Sequence, residues 1–181
     1  MDISVICPIY NGEKYIRDLN NSLINQKNIK SFDVTYLLTE SSDKSEEELK
    51  KINAKYELIK KKEFSHSLTR EKAAYKAKGD IIVFITQDIK ILDDYFIYKL
   101  TKDIYNNLCD ASFAKQICDN KTIERYTRMS NYPDESRIVS KEDVKNLGIK
   151  TYFYSDAAAA IRRDTFIKLK GYDGKVLLTN E

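Results

Sequence analysis

The chain has 181 residues, of which 42% are hydrophobic and 33% charged, the profile of one folded domain with a sizeable core and not of a disordered segment. Five glycines and two prolines are too few for a turn-dense all-β sandwich or for flexible linkers. The net charge of +3, with 31 basic residues mixed among 28 acidic ones, gives no basic face for nucleic acid. Apolar runs such as Ile81 to Ile85 are too short to span a bilayer, and the start Met1-Asp2-Ile3-Ser4 lacks the basic region of a signal peptide. Cys7, Cys109 and Cys118 have no metal-like spacing, and an odd count suits a reducing compartment, so a cytoplasmic protein is expected.

Strand-like and helix-like segments alternate over the first two thirds. Ile3 to Cys7 reads as a buried strand stopped by Pro8, which cannot donate to a ladder. Tyr15, Ile16, Leu19, Leu23 and Ile24 then share one helical face. Asp33 to Leu38 is a second strand, followed by the polar turn Thr39 to Asp43 and a helix with the capping pattern Ser45-x-x-Glu48. Glu57 to Lys60 is a short third strand, and Thr69 to Lys78 a helix closed by Gly79. Asp80 to Thr86, the most apolar segment, is predicted to be a central parallel strand. A helix carrying Phe96, Leu100 and Ile104 follows, then a strand from Ala111 to Gln116. Residues from about 118 to 139 show no clean period and read as a long functional loop or mixed coil. Ser140-x-x-Asp143 caps a short helix ending at Gly148, Thr151 to Ile161 is strand-like, and Asp164 to Lys170 forms a helix ended by Gly171. The sum is an α/β protein, a mostly parallel twisted sheet with helices on both faces.

Open sheets of this kind bind ligands beyond the carboxyl ends of their strands, where strand order reverses. The residues to watch are therefore Pro8, Tyr10 and Asn11, then Thr39 and Glu40, then His66 to Arg70, then Thr86, Gln87 and Asp88. Acids, a guanidinium and amides at four strand ends suit a nucleotide. Glu40 can accept from a base N–H, Arg70 can stack on or bond a base or phosphate, and Asp88 can hold Mg²⁺ or Mn²⁺. Each has an ordinary alternative as a helix cap or solvated turn residue, and the Lys60-Lys-Lys62 run reads as a solvated rim. No G-x-G-x-x-G, G-x-x-x-x-G-K-[ST] or G-x-S-x-G is present, so dinucleotide binding, P-loop hydrolysis and a serine elbow all lack their signature.

The stretch Val5-Ile-Cys-Pro-Ile-Tyr-Asn-Gly-Glu-Lys-Tyr15, with Ser22 to Gln26 and Phe32-Asp33, resembles the opening of inverting glycosyltransferases of family 2, which have the GT-A fold. Glu63-Phe-Ser-His-Ser-Leu-Thr-Arg70, Ala73-Ala74, Thr86-Gln-Asp88, Asn131-Tyr-Pro133, Leu147 to Thr151 and Gly171-Tyr-Asp173 are similar to its rhamnosyltransferase-like branch. The resemblance implies a Rossmann-like nucleotide-binding core using Pro8, Tyr10, Asn11, Glu40, Arg70 and Gln87. It places Glu40 on a uracil or thymine base, with Thr39 where the family has a first acid. Gln87-Asp88 stands where the family has its metal-binding acid pair, which leaves Asp88 as the ligand for Mg²⁺ or Mn²⁺. Glu181 falls at the first acid of the pair that includes the catalytic base, with Asp156 as the alternative base.

What the resemblance implies for the whole is a single domain, 1–181. Residues 1–117 would be its nucleotide-sugar-binding half and 118–181 an acceptor-side half expected to be truncated. The implied reaction moves a sugar from a UDP- or dTDP-sugar donor to a hydroxyl of a glycan or lipid-linked acceptor, in bacterial surface polysaccharide synthesis. The implied setting is the cytoplasm, at the inner face of the membrane, with peripheral association through the part that follows. A sugar-phosphate nucleotidyltransferase and a nucleotide-sugar binding module without turnover remain the alternatives.

Overall fold

The computed structural model describes residues 1–117 and 123–172. In chain order its elements are β1 (Ile3–Ile9), α1 (Glu13–Ile24), β2 (Phe32–Thr39), α2 (Ser45–Lys51), β3 (Tyr56–Ile59), α3 (His66–Lys76), β4 (Ile81–Ile85), α4 (Phe96–Tyr105), β5 (Ala111–Phe113), α5 (Ile123–Asn131), α6 (Val144–Leu147), β6 (Ala158–Arg162) and α7 (Arg163–Lys168), with short 3-10 turns between some of them. They build one six-stranded sheet in the order β3-β2-β1-β4-β6-β5. The first four strands are parallel, with Cys7 opposite Tyr36 and Val5 opposite Val83. Strand β6 runs antiparallel to both β4 and β5.

Alternation along β1 sends its side chains to opposite faces. Ile3, Val5, Cys7 and Ile9 pack with Ile16, Leu19 and Leu23 of α1, Leu49 of α2 and Ile97, Leu100 and Ile104 of α4. Ile6 lies on the other face with Leu37, Ile82 and Phe84, against Ala73 and Ala74 of α3 and Phe166 of α7. Strand β4 is fully buried from Ile81 to Ile85, which is why it reads as an unbroken apolar run. Each such side chain contributes roughly 1.5–3 kcal/mol by leaving water.

Strand direction decides what surrounds the carboxyl edge. β5 ends on the same edge as β1 to β4, and β6 starts there, its preceding Ala157 carbonyl accepting from Thr86 N–H at 3.0 Å. The connection between β5 and β6 therefore leaves from and returns to the carboxyl edge.

Several element boundaries differ from the sequence expectations. Helix α3 starts at His66, three residues before the expected Thr69, because Ser65 is its cap: Leu68 N–H donates to Ser65 Oγ at 3.3 Å, and Ser65 N–H donates to Thr69 Oγ1 at 3.0 Å. Gly79 does not close α3; a Cβ there would stand 2.5 Å from Ser4 N and 2.8 Å from Ile3 C, so glycine serves a close backbone approach. Ser45 is not a helix cap, since its hydroxyl accepts from Gly12 N–H and donates to Asp43. The stretch 118–139 contains a helix, α5, hidden because its described side chains are mostly exposed. Residues 148–152 form a 3-10 turn, so the last strand begins at Ala158 and not at Thr151. The cap at Ser140 and the stop at Gly148 hold: Ser140 N–H donates to the Asp143 carboxylate at 2.8 Å, and Gly148 has φ 56°.

Candidate active site

Strands β1 and β4 are neighbours whose connections leave in opposite directions, which opens a crevice at their carboxyl ends. The chain leaving β1 is held in two places. Tyr10 N–H donates to Gln87 Oε1 at 2.9 Å, and Gln87 Nε2 donates to the Tyr10 carbonyl at 3.1 Å. Asn11 turns through φ 46°, a left-handed conformation that asparagine tolerates. Its N–H donates to Ser41 Oγ at 3.0 Å, while its Oδ1 accepts from Ser42 N–H at 2.9 Å. Gly12 N–H donates to Ser45 Oγ at 2.8 Å, Glu13 N–H to Asp43 Oδ2 at 3.0 Å, and Lys44 N–H to Glu13 Oε2 at 2.7 Å. Burial pushes the Asp43 carboxyl up, but hydrogen bonds from Ser45 and from the Glu13 and Ser45 amides outweigh it and hold it below its ordinary value.

Beside this mesh, Glu40 extends from the end of β2. One of its oxygens, Oε2, accepts from Lys61 N–H at 3.0 Å. The Lys61 ammonium lies 5.4 Å from the centre of the Tyr10 ring, so the ends of β1, β2 and β3 meet around that half-exposed phenol. Pro8 is half-buried opposite Leu37. The Thr39 side chain is buried, and its hydroxyl has no hydrogen-bond partner among the described residues.

The charges complete the picture. Arg70 is only 4% exposed, yet its one described hydrogen bond runs from Nη1 to the His66 carbonyl at 2.9 Å, and its Nε is buried without a partner. Asp88, just past β4, is exposed, and no described side chain pairs with its carboxylate. The Cys7 thiol between β2 and β4 feels both: burial pushes it up, the Arg70 charge draws it down and Asp88 adds to the rise. Burial also pushes the Tyr172 phenol up to about 12, against the lowering pull of Arg70 and with a further push from Asp156 and Glu71. Tyr172 is fixed by its ring contacts with Phe84 and Phe166 and by its N–H, which donates to Glu71 Oε2 at 2.8 Å.

On the far side of the β4 end, half-buried Asp156 lines a cavity of about 320 Å³ with Gln116, Arg128, Asn131, Tyr132 and Phe153. A second cavity, about 290 Å³, lies at the opposite edge of the sheet beside Ile3 and Ile81 and touches none of these groups. Pro8, Tyr10, Asn11, Glu40, Arg70, Gln87 and Asp88 thus share one edge, and Asp156 borders it. Glu181, Asp173 and Cys118 lie outside the described residues. Sequence reasoning missed Lys61, Asp43 and Glu71. Only Asp43 carried a signal, as an acid two residues before the first helical turn of α2.

A family model described as glycosyl transferase family 2 matches residues 4–170. The chain belongs to that family. The family-2 chain is 34% identical over 126 residues to the O-antigen chain rhamnosyltransferase RfbN of Salmonella typhimurium, a match covering 68% of this chain and 40% of that protein. It therefore spans less than half the length of that relative. In fold it is similar to S. aureus TarS, with a TM-score of 0.69 at 20% identity, covering 94% of this chain and 49% of the other. It is equally similar to the mannosyltransferase PcManGT of Pyrobaculum calidifontis, solved with GDP-Man and Mn²⁺, with a TM-score of 0.69 at 16% identity, covering 98% of this chain and 49% of that one. The α/β sheet is of the GT-A type. No helix among the described residues is long and apolar enough to cross a membrane.

Proposed function

We propose that this chain binds the donor of an inverting glycosyltransferase that moves a sugar from a UDP- or dTDP-sugar to a hydroxyl of a glycan or lipid-linked acceptor. The observation that carries the reading is a pair of unmatched charges at one sheet edge. Arg70 is a buried guanidinium with no described anion beside it, and Asp88 a carboxylate with no described cation. Burying a lone charge is costly. A diphosphate chelating a divalent ion supplies both partners at once, an anion for Arg70 and a cation for Asp88.

The base is selected at Glu40. Beside the bond that Oε2 accepts from Lys61 N–H, Oε1 is open to the single N–H that the imide of uracil or thymine presents. Guanine presents two adjacent donors, the second of which would share Oε2 with Lys61 N–H. Tyr10 offers its ring as a wall for the base.

The residues present fit Mg²⁺ or Mn²⁺. No cluster of three or more acid, histidine or cysteine ligands exists among the described residues, and such ions commonly take one or two carboxylates with substrate phosphates and water supplying the rest. Asp88 would hold the ion, which when bound offsets the negative charge gathering on the departing diphosphate. In the reaction, the acceptor oxygen bonds to the anomeric carbon as that carbon's bond to the phosphate oxygen breaks, the electron pair leaving with the diphosphate. The hydroxyl proton passes to a carboxylate, Glu181 or Asp156. Asp156 and the aromatic cavity beside it offer the acceptor sugar a ring to stack on and polar groups for its hydroxyls.

The likeness to an O-antigen rhamnosyltransferase supports a setting in surface polysaccharide synthesis. The test is a panel of nucleotide sugars with saccharide acceptors, read by nucleoside diphosphate release and by the anomeric configuration of the product. Inverted product from a UDP- or dTDP-sugar is expected. Retained configuration overturns the single displacement, and failure to bind any nucleoside diphosphate overturns the whole reading.

A further inference from the structure

Past Ile9 the backbone of β1 leaves its ladder, and Tyr10 would expose an N–H and a carbonyl to the crevice. Both are taken by one side chain. Gln87 Oε1 accepts from Tyr10 N–H at 2.9 Å, and Gln87 Nε2 donates to the Tyr10 carbonyl at 3.1 Å. Only an amide can do both, because a carboxylate has no hydrogen to give the carbonyl. The space for it comes from Gly12: a Cβ there would lie 2.6 Å from Gln87 Oε1 and 3.2 Å from its Cδ, with Ile9 Cγ2 also close at 3.1 Å, at a residue whose φ of -108° does not itself require glycine. Gln87 adjoins Asp88 in sequence and Gly12 follows Tyr10 by two, so the contact ties the two sides of the switch point together.

We infer that Gln87 is a positioning residue, which fixes the Tyr10 wall and the Asp88 carboxylate at a set separation and touches neither metal nor nucleotide. The inference rests on the donor reading above for what Tyr10 and Asp88 do. With both amide atoms engaged by the Tyr10 backbone, turning the amide toward an ion would cost Gln87 that pair of hydrogen bonds. The crevice is therefore set before the ligand arrives, which spares the ligand the cost of ordering it.

The decisive variant is Gln87→Glu, because the two readings differ in sign. A group that touches the metal binds it more tightly as a carboxylate. A group that holds the Tyr10 backbone sets its new negative oxygen against a carbonyl and loosens the turn. UDP affinity is expected to fall about tenfold with and without Mn²⁺, the ratio between the two staying within about twofold. Gly12→Ala and Gln87→Leu are expected to do the same by displacing or removing the amide. In the free protein, exchange of the Tyr10 amide hydrogen is expected to speed up by about tenfold in Gln87→Leu, while that of Val5 in the middle of β1 stays unchanged. A larger Mn²⁺-dependent gain in Gln87→Glu, or unchanged affinity in a variant with lowered melting temperature, overturns the inference, as does unchanged Tyr10 exchange. If the parent binds no nucleoside diphosphate, the donor reading falls and the exchange measurement still decides the clamp.

Discussion

Arg70 is a buried charge satisfied by one backbone carbonyl among the described residues. The residue is 4% exposed and its guanidinium has no described counterion, so the free protein keeps a cation out of water with that one carbonyl to satisfy it. Removing an uncompensated buried charge relieves a penalty, whereas removing a ligand contact loses one. Arg70→Ala is therefore expected to shift two measurements in opposite directions: calorimetry should show UDP binding weakened by about 1–3 kcal/mol, while urea unfolding of the free protein shows stability unchanged or higher. A parallel loss of stability would mean that Arg70 braces α3 and is not reserved for an anion. The placement of Arg70 beside the carboxyl edge was readable in the sequence because it stands at a helix start after a strand, and that of Tyr10, Glu40, Gln87 and Asp88 because each follows the end of a strand. Lys61 was not, since it reaches Glu40 through its backbone N–H, which every residue but proline has, and Glu71 was not, since it meets Tyr172 across 101 positions.

Among the elements, the starts of α1 and α2 matter more than their faces. Asp43 accepts from Glu13 N–H and from both the N–H and hydroxyl of Ser45, so one carboxylate joins two helix starts. Its folded-state pKa lies below the ordinary value of 3.8, so its contribution to stability is full above that pH and is lost as the pH falls through the lower folded value. Asp43→Asn is expected to lower stability by about 1–2 kcal/mol at neutral pH and to flatten the acid limb of the unfolding curve below the ordinary carboxylate value. A variant with the parent's acid limb would show that the carboxylate charge contributes nothing. At the opposite edge, Gly79→Ala would drive a methyl into the β1 backbone, 2.5 Å from Ser4 N, with neither strand free to retreat. A cost of about 2–3 kcal/mol in denaturant midpoint is expected, and a neutral result would show that the Lys78–Asp80 turn can shift. Apolar strands and amphipathic helices were legible because burial imposes a period. Helix α5 was not, because Tyr126 and Met129 face outward at 70% and 65% exposure and little of it is buried. Thr151 and Tyr152, at the end of the 3-10 turn, were read as the start of a strand because their residue types suit either.

At the scale of the whole molecule, parallel β1 to β4 and the reversed β6 put the turns that carry the candidate site residues at one edge, while the opposite edge has structural glycine and serine contacts. The direction of β6 was not legible, since its small apolar run Ala158-Ala-Ala160 carries no sign of direction; pairing with β4 and β5 decides it. Because these turns belong to separate strands, a ligand that bridges them ties distant parts of the chain together and stabilises the folded state as a unit. A ligand that binds only the folded form stabilises it by RT ln(1 + [L]/Kd), about 2.7 kcal/mol at a hundredfold excess over Kd. For a chain of this size each kcal/mol raises Tm by about 2–4 °C, so UDP or dTDP with Mn²⁺ is expected to raise Tm by about 5–11 °C at that excess. The Asp88→Asn variant divides the shift. Its carboxylate has no described structural partner, so the free variant should melt with the parent, and UDP alone should raise its Tm about as much as it raises the parent's. The further rise that Mn²⁺ gives the parent should vanish. An intact Mn²⁺ increment in Asp88→Asn would move the metal elsewhere on the edge, and an equal shift from GDP would remove Glu40 as the group that selects the base.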